Sequence, residues 1–135
     1  MRIISGLYKN RRIHFKKLQS RPTTDFAKES LFNLLNNHYN LEHVHVLDLF
    51  AGTGNISYEF ISRGSNSVTA IDNNNKCVDF MEKIKSNLKM RNLKIELANA
   101  KNYIKKVQSN YDIIFADPPY HCVESTYLKI IHDIF

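Results

Sequence analysis

Glycine and proline are scarce in this 135-residue chain, which holds only 4 Gly and 3 Pro. It contains no repeat and no low-complexity tract. Cysteine is rarer still. Cys77 and Cys122 stand alone, without CxxC or Cys/His spacing, so neither a disulfide framework nor a zinc site is expected. Both read as plain thiols of a reducing compartment. No apolar run approaches the ~20 residues of a membrane-spanning helix. The opening Met1-Arg2-Ile3-Ile4-Ser5-Gly6 lacks the apolar core of a signal peptide. A cytoplasmic protein is expected, with no membrane partner. The histidines (His14, His38, His43, His45, His121 and His132) are scattered, and no metal is expected.

Hydrophobic residues make up 43% and charged residues 24%, ordinary for a globular chain with room for one core. The net charge of +6 is unevenly spread. Residues 1–43 hold 8 Lys/Arg against 3 Asp/Glu, while residues 44–135 hold 11 against 10. Within residues 1–20 lie Arg2, Lys9, Arg11, Arg12, Lys16 and Lys17 and no acid. A basic run can be a solvated tail. Here the charges alternate with Ile3, Ile4, Leu7, Tyr8, Ile13 and Phe15, which favours a folded basic hairpin meeting a polyanion. The pattern predicts strands over Arg2–Tyr8 and Arg12–Phe15 with a turn near Lys9-Asn10. Residues 1–22 form this extension, and residues 23–135 the main domain.

Thr23 or Thr24 should cap a helix that buries Ala27, Leu31, Leu34 and Leu35. Strand and helix patterns then alternate: strands at 44–50, 67–72, 93–98 and 111–116, helices at 56–63, 75–90, 101–107 and 124–135. On the second helix after the first strand, Val78, Met81, Ile84 and Leu88 share a side. Such alternation implies right-handed crossovers and an α/β, Rossmann-like, doubly wound parallel sheet, with ligands at the carboxyl ends of its strands.

Half of the glycines and two of the prolines sit just after apolar strand-like runs. The first site is Val46-Leu47-Asp48-Leu49-Phe50-Ala51-Gly52-Thr53-Gly54, a strand–loop–helix turn of the nucleotide-cofactor kind. Gly52 and Gly54 let the backbone approach a ligand, beside Phe50 and Ala51. Ser57 stands where GxGxxG needs its third glycine, and no Gly-Lys-Ser/Thr follows, so this is no P-loop. Asp48 would repel a pyrophosphate but attract an ammonium and a sulfonium, the charges of S-adenosylmethionine. Asp72, ending the second strand, suits ribose hydroxyls. Asn99 and Ala100 end the third strand where an adenine edge would lie, although Asn99 serves equally as a helix cap.

The second site is Asp117-Pro118-Pro119-Tyr120, after Ile113-Ile114-Phe115. Consecutive prolines stiffen the turn and contribute no N–H donor. The Asp117 carboxylate and the Pro118 carbonyl can accept both hydrogens of an exocyclic amine, orienting its lone pair. Tyr120 offers a face for stacking the base. A rigid turn with a core Tyr is the plainer alternative, and His121 beside it reads as an exposed loop residue.

These residues resemble the RsmD-type bacterial methyltransferases. The opening Arg2–Gly6, the run Arg21-Pro22-Thr23-Thr24-Asp25 leading into Glu29-Ser30-Leu31-Phe32-Asn33, the loop Leu47–Gly54 and the run Asp117–Tyr120 all carry the resemblance. It implies a class I methyltransferase fold with S-adenosylmethionine as donor. Catalysis would fall to Asp117, Pro118, Pro119 and Tyr120. The implied product is N2-methylguanine in 16S rRNA, either free or in an assembling small ribosomal subunit. Arg2, Arg11, Arg12, Lys16, Lys17 and Arg21 would meet RNA phosphates. Adenine-N6 DNA methylation and a non-catalytic RNA-binding module are the rivals. Such proteins usually continue beyond the DPPY strand. With the sequence stopping at Phe135, the expectation is that C-terminal strands are missing and the fourth strand lies at an edge.

Overall fold

A computed structural model describes residues 1–15, 24–106 and 110–118. The elements run α1 (Asp25–His38), β1 (His45–Asp48), α2 (Asn55–Ser62), β2 (Ser67–Asp72), α3 (Asn75–Leu88), β3 (Leu93–Leu97), α4 (Ala100–Lys106) and β4 (Ile113–Phe115). The expected helix at 124–135 lies outside the described residues.

All strand pairs are parallel, in the order β3-β2-β1-β4. This is the α/β, Rossmann-like sheet expected. The order reverses between β1 and β4, and such a switch opens a crevice beyond the strands' carboxyl ends. Both faces are covered. Val46, Val68 and Ala70 point into a core shared with α2 and α3, while Leu47, Leu49 and Ile71 pack with Ala100, Tyr103 and Ile104 of α4. Successive side chains on a strand alternate faces, and a sheet covered on both sides needs apolar residues at nearly every position. Among the described residues β4 is one edge of the sheet and β3 the other, and Ile114 of β4 is 40% exposed. No helix among the described residues is long and apolar enough to cross a membrane.

The N-terminal segment differs from the expected hairpin. Its ladder is one antiparallel bridge, Arg2 with Arg12, flanked by Ile3 N–H to Arg11 O and Ile13 N–H to Met1 O. Asn10 makes the turn with φ 70°. The strand does not reach Tyr8 because α2 takes the backbone instead. Glu59 accepts from the Ile4 and Ser5 amides at 2.9 and 3.1 Å, Leu7 N–H donates to Ser62 O, and Ser62 Oγ accepts from Tyr8 N–H. At Gly6 (φ 89°) the segment passes so close to Ser62 O that a Cβ would overlap it. Ile3 and Ile13 complete the main core.

Thr24 caps α1 by accepting from the Ala27 amide. The buried stripe, however, is not Ala27–Leu31–Leu34–Leu35. Ala27 and Leu34 are exposed, Leu31 and Leu35 are half-buried, and the fully buried positions are Lys28 and Phe32. The helix is turned by about one residue because its partner surface is polar at one point. Lys28 Nζ donates to Arg2 O and Asn55 Oδ1 and pairs with Glu59 at 3.2 Å, both side chains being wholly buried. Phe32 meets the Phe60 ring edge-on at 4.7 Å and lies under the Arg63 guanidinium. Burial pushes the Lys28 ammonium below its ordinary value, and Glu59 opposes that.

Glu59 is thus the common acceptor for Lys28, Arg63 and two backbone amides. Removing one partner of a buried pair leaves the rest desolvated and unpaired. Glu59→Ala is expected to cost about 3–5 kcal/mol of unfolding free energy, read as the denaturant midpoint at unchanged slope. A loss below about 1 kcal/mol, the worth of a surface pair, would contradict this account.

Candidate active site

The glycine loop begins where β1 ends. Gly52 and Gly54 have φ 57° and 86°, and Gly54 caps α2 in the left-handed region. A Cβ on Gly54 would run into the Tyr58 ring one turn on, so the position needs glycine for space as well as for conformation. Ala51 N–H donates to Ile71 O, and the Gly52 amide donates to Asp72 Oδ2 at 2.8 Å. Asp72 also accepts the Asn74 amide at 2.9 Å. The carboxylate expected to meet ribose therefore also latches the loop to the end of β2.

Asp48 is the most unusual side chain of the site. It is 1% exposed, Ser57 Oγ donates to its Oδ2 at 2.7 Å, and its Oδ1 has no protein partner. Its pKa is raised from 3.8 to about 7, chiefly by burial, with the Ser57 hydroxyl opposing and the charges of Asp72 and Asp117 adding to the rise. The buried Tyr58 hydroxyl is likewise unpartnered, and burial together with Asp48 pushes its pKa up. A buried acceptor without a donor is costly, and it suits a ligand that brings one. The carboxylate and the glycine cradle fit a ligand that brings a cationic donor, as the ammonium of S-adenosylmethionine would.

Asp117 joins this rim. Asp48 pairs in register with Phe115, so Asp117 follows two residues past the end of β4. It is exposed, Pro118 is half-buried, and the charge of Asp117 is felt at Asp48. Pro119 and Tyr120 lie outside the described residues, as do Lys16, Lys17 and Arg21. Phe50 and Ala51 are half-buried in the loop, whereas Gly52 and Gly54 are buried. Asn99 takes the capping role, accepting from the Asn102 amide at 3.2 Å, while Ala100 packs beneath the sheet against Leu47 and Ile71. Arg11 and Arg12 are exposed, and half-buried Arg2 donates from its guanidinium to Asn10 Oδ1.

Neither the Ser57–Asp48 bond nor the buried Lys28–Glu59 pair is foretold by motif or periodicity. One signal was present for Glu59, the single charge in the helix Asn55–Ser62. Among the described residues no group of three or more His, Cys, Asp or Glu could hold a metal ion.

Comparison with known proteins places this site in context. A family described as conserved hypothetical protein 95 matches residues 1–134. The ribosomal RNA small subunit methyltransferase D of Buchnera aphidicola subsp. Baizongia pistaciae is 39% identical over 130 residues, which cover 96% of this chain and 64% of that protein. The protein of the same name from Haemophilus influenzae is 32% identical over 129 residues, 90% of this chain and 64% of the relative. The chain thus spans about two-thirds of the length of these relatives, a little under it. The solved structure of Escherichia coli yhhF superposes with a TM-score of 0.81 at 28% identity, covering 96% of this chain and 71% of the other.

Proposed function

The chain belongs to the family described as conserved hypothetical protein 95, and on that footing we propose that it transfers a methyl group from S-adenosylmethionine to the exocyclic N2 amine of a guanine in 16S rRNA. The observation that carries the reading is the unpartnered, buried Asp48 Oδ1. It lies at the switch between β1 and β4, on the rim shared by the Asp72-latched glycine loop and Asp117-Pro118. The names of the relatives, ribosomal RNA small subunit methyltransferase D, support an rRNA substrate.

Asp48 would hold the ammonium of the donor, Asp72 the ribose hydroxyls, and Gly52 and Gly54 would let the loop lie against it. The bound donor supplies an electrophilic methyl on a sulfonium. The chain's own task is to present the amine. Asp117 and the Pro118 carbonyl accept its two hydrogens, which aims the nitrogen lone pair and stabilises the positive charge that develops there. Tyr120 stacks on the base, which must leave its helix to reach the pocket. Arg2, Arg11, Arg12, Lys16, Lys17 and Arg21 hold phosphates and keep the RNA in register.

Incubation with tritiated S-adenosylmethionine and 16S rRNA from a strain lacking this protein is expected to label N2-methylguanine after nucleoside digestion. Label on N6 of adenine in DNA, with none in rRNA, would instead make it a DNA methyltransferase. No heat of S-adenosylmethionine binding and no label in either would make it a non-catalytic RNA-binding module.

A further inference from the structure

The N-terminal basic segment does not end at α2. Tyr8 Oη donates to Leu88 O at 2.9 Å, which ties the segment to the last residue of α3. Around the same end lie Lys85, Lys89 and Arg91, lining an open cleft of about 240 Å³ with Glu82, Ser86 and Met90. Lys89 and Arg91 are exposed and Lys85 is half-buried. Among the described residues the ion pairs are Lys28–Glu59, Arg63–Glu59 and Lys94–Glu96, so none of the three cations has a carboxylate partner, Glu82 included.

A helix C-terminus attracts a cation, and Lys85 in the last turn of α3 answers to that. It does not account for Arg91, beyond the helix. Nor does it account for Lys89, which caps α3 in the left-handed region at φ 55°, where glycine is the usual choice. A cleft lined by three cations and one carboxylate, with no ion pair among them, keeps a net positive charge and suits phosphate.

We propose that the RNA-binding surface runs from Arg2, Arg11 and Arg12 down the α2–α3 face to Lys85, Lys89 and Arg91, which grip phosphates of the same RNA. The inference rests on the rRNA reading above and narrows its substrate class. α3 starts beside Asp72 at the reaction rim and ends at the opposite rim. Its 14 residues span about 21 Å at 1.5 Å each. An RNA with its target base at Asp117 touches this cleft only if it extends some 20 Å along the protein, as a folded stem or ribosomal particle does. A trinucleotide does not.

The test compares the full chain with the triple variant Lys85→Gln/Lys89→Gln/Arg91→Gln. RNA affinity is titrated against salt on a folded 16S fragment and on a short single strand, a trinucleotide carrying the same guanine. The variant is expected to bind the folded fragment at least tenfold more weakly at low salt. Its slope of log K against log salt should be shallower by roughly 2–3, at 0.7–0.9 per lost phosphate contact. Affinities for the short strand and for S-adenosylmethionine should not change. Wild-type affinity and slope on the folded fragment overturn the proposal. So does an equal loss on the short strand, which would mark an indirect effect. If Arg2→Gln/Arg11→Gln/Arg12→Gln still weakens salt-dependent binding while the triple variant does not, only this extension falls. If the unaltered chain binds RNA without salt dependence, the rRNA reading falls with it.

Discussion

Asp117→Ala is expected to lower kcat for methyl transfer into 16S rRNA by about 10²–10³-fold, the usual loss when one preorganised charge-stabilising group is removed. The affinity for S-adenosylmethionine should stay within about twofold, since the proposed mechanism puts Asp117 on the amine and assigns the donor to Asp48, Asp72 and the glycine loop. The fold should not suffer, because the side chain is exposed and surface changes are worth about 0.5 kcal/mol or less. An indirect signature accompanies the loss. The negative charge of Asp117 helps to hold the Asp48 carboxyl up, so removing it moves the Asp48 titration to lower pH. Asp117→Asn, which keeps an acceptor oxygen but loses the charge, should fall between the two. Single-turnover rates separate this chemical effect from RNA release. An alanine variant with an unchanged single-turnover rate would remove Asp117 from the reaction.

Asp48→Asn is expected to act in opposite directions on stability and binding. With its folded pKa raised from 3.8 to about 7, Asp48 binds more protons in the folded state than in the unfolded one between those values. Stability is therefore fully retained below pH ~4 and declines as pH rises toward 7, by on the order of 4 kcal/mol for a shift of about three units. Asparagine does not titrate. The variant should lack this decline, and the ligand-free chain should be more stable than the parent at pH 8 and no more stable at pH 4. Cofactor affinity goes the other way, dropping about 10- to 100-fold through loss of a charged acceptor. In the parent, the ammonium prefers ionised Asp48, so affinity rises with pH up to about 7 and binding at pH 6 releases a proton. Calorimetry in two buffers of different ionisation enthalpy reads that proton. Equal apparent heats in both buffers would show that Asp48 does not titrate on binding. Stability given up for binding in this way is common at functional sites.

The elements that can be read from the chain are those whose cause is local. β2 spans Ser67–Asp72 as expected, because an apolar run bounded by turn residues has one reading. α3 stops two residues early, at Leu88, because Lys89 turns left-handed as its cap. β1 and β4 are shorter than the apolar runs that contain them: past β1 the backbone keeps only Leu49 N–H to Phe115 O on the β4 side, and before β4 the Asp112 side chain takes the His45 amide in place of a backbone carbonyl. The glycine loop is legible because its glycines answer to backbone geometry, and the common rim of Asp48, Asp72 and Asp117 because strands in register bring their carboxyl ends together.

What the chain alone could not reveal is what faces what. Periodicity chose Leu34 for the buried side of α1, yet Leu34 is 60% exposed and Lys28 is wholly buried. A charged residue is scored as solvent-facing until its partner is known, and that partner, Glu59, is 31 positions away. The same holds for Ser57 under Asp48 and for Tyr8 on Leu88. Local order follows from neighbours in sequence. The pairing of buried polar groups follows from neighbours in space, and the desolvation each group would suffer unpaired makes that pairing specific.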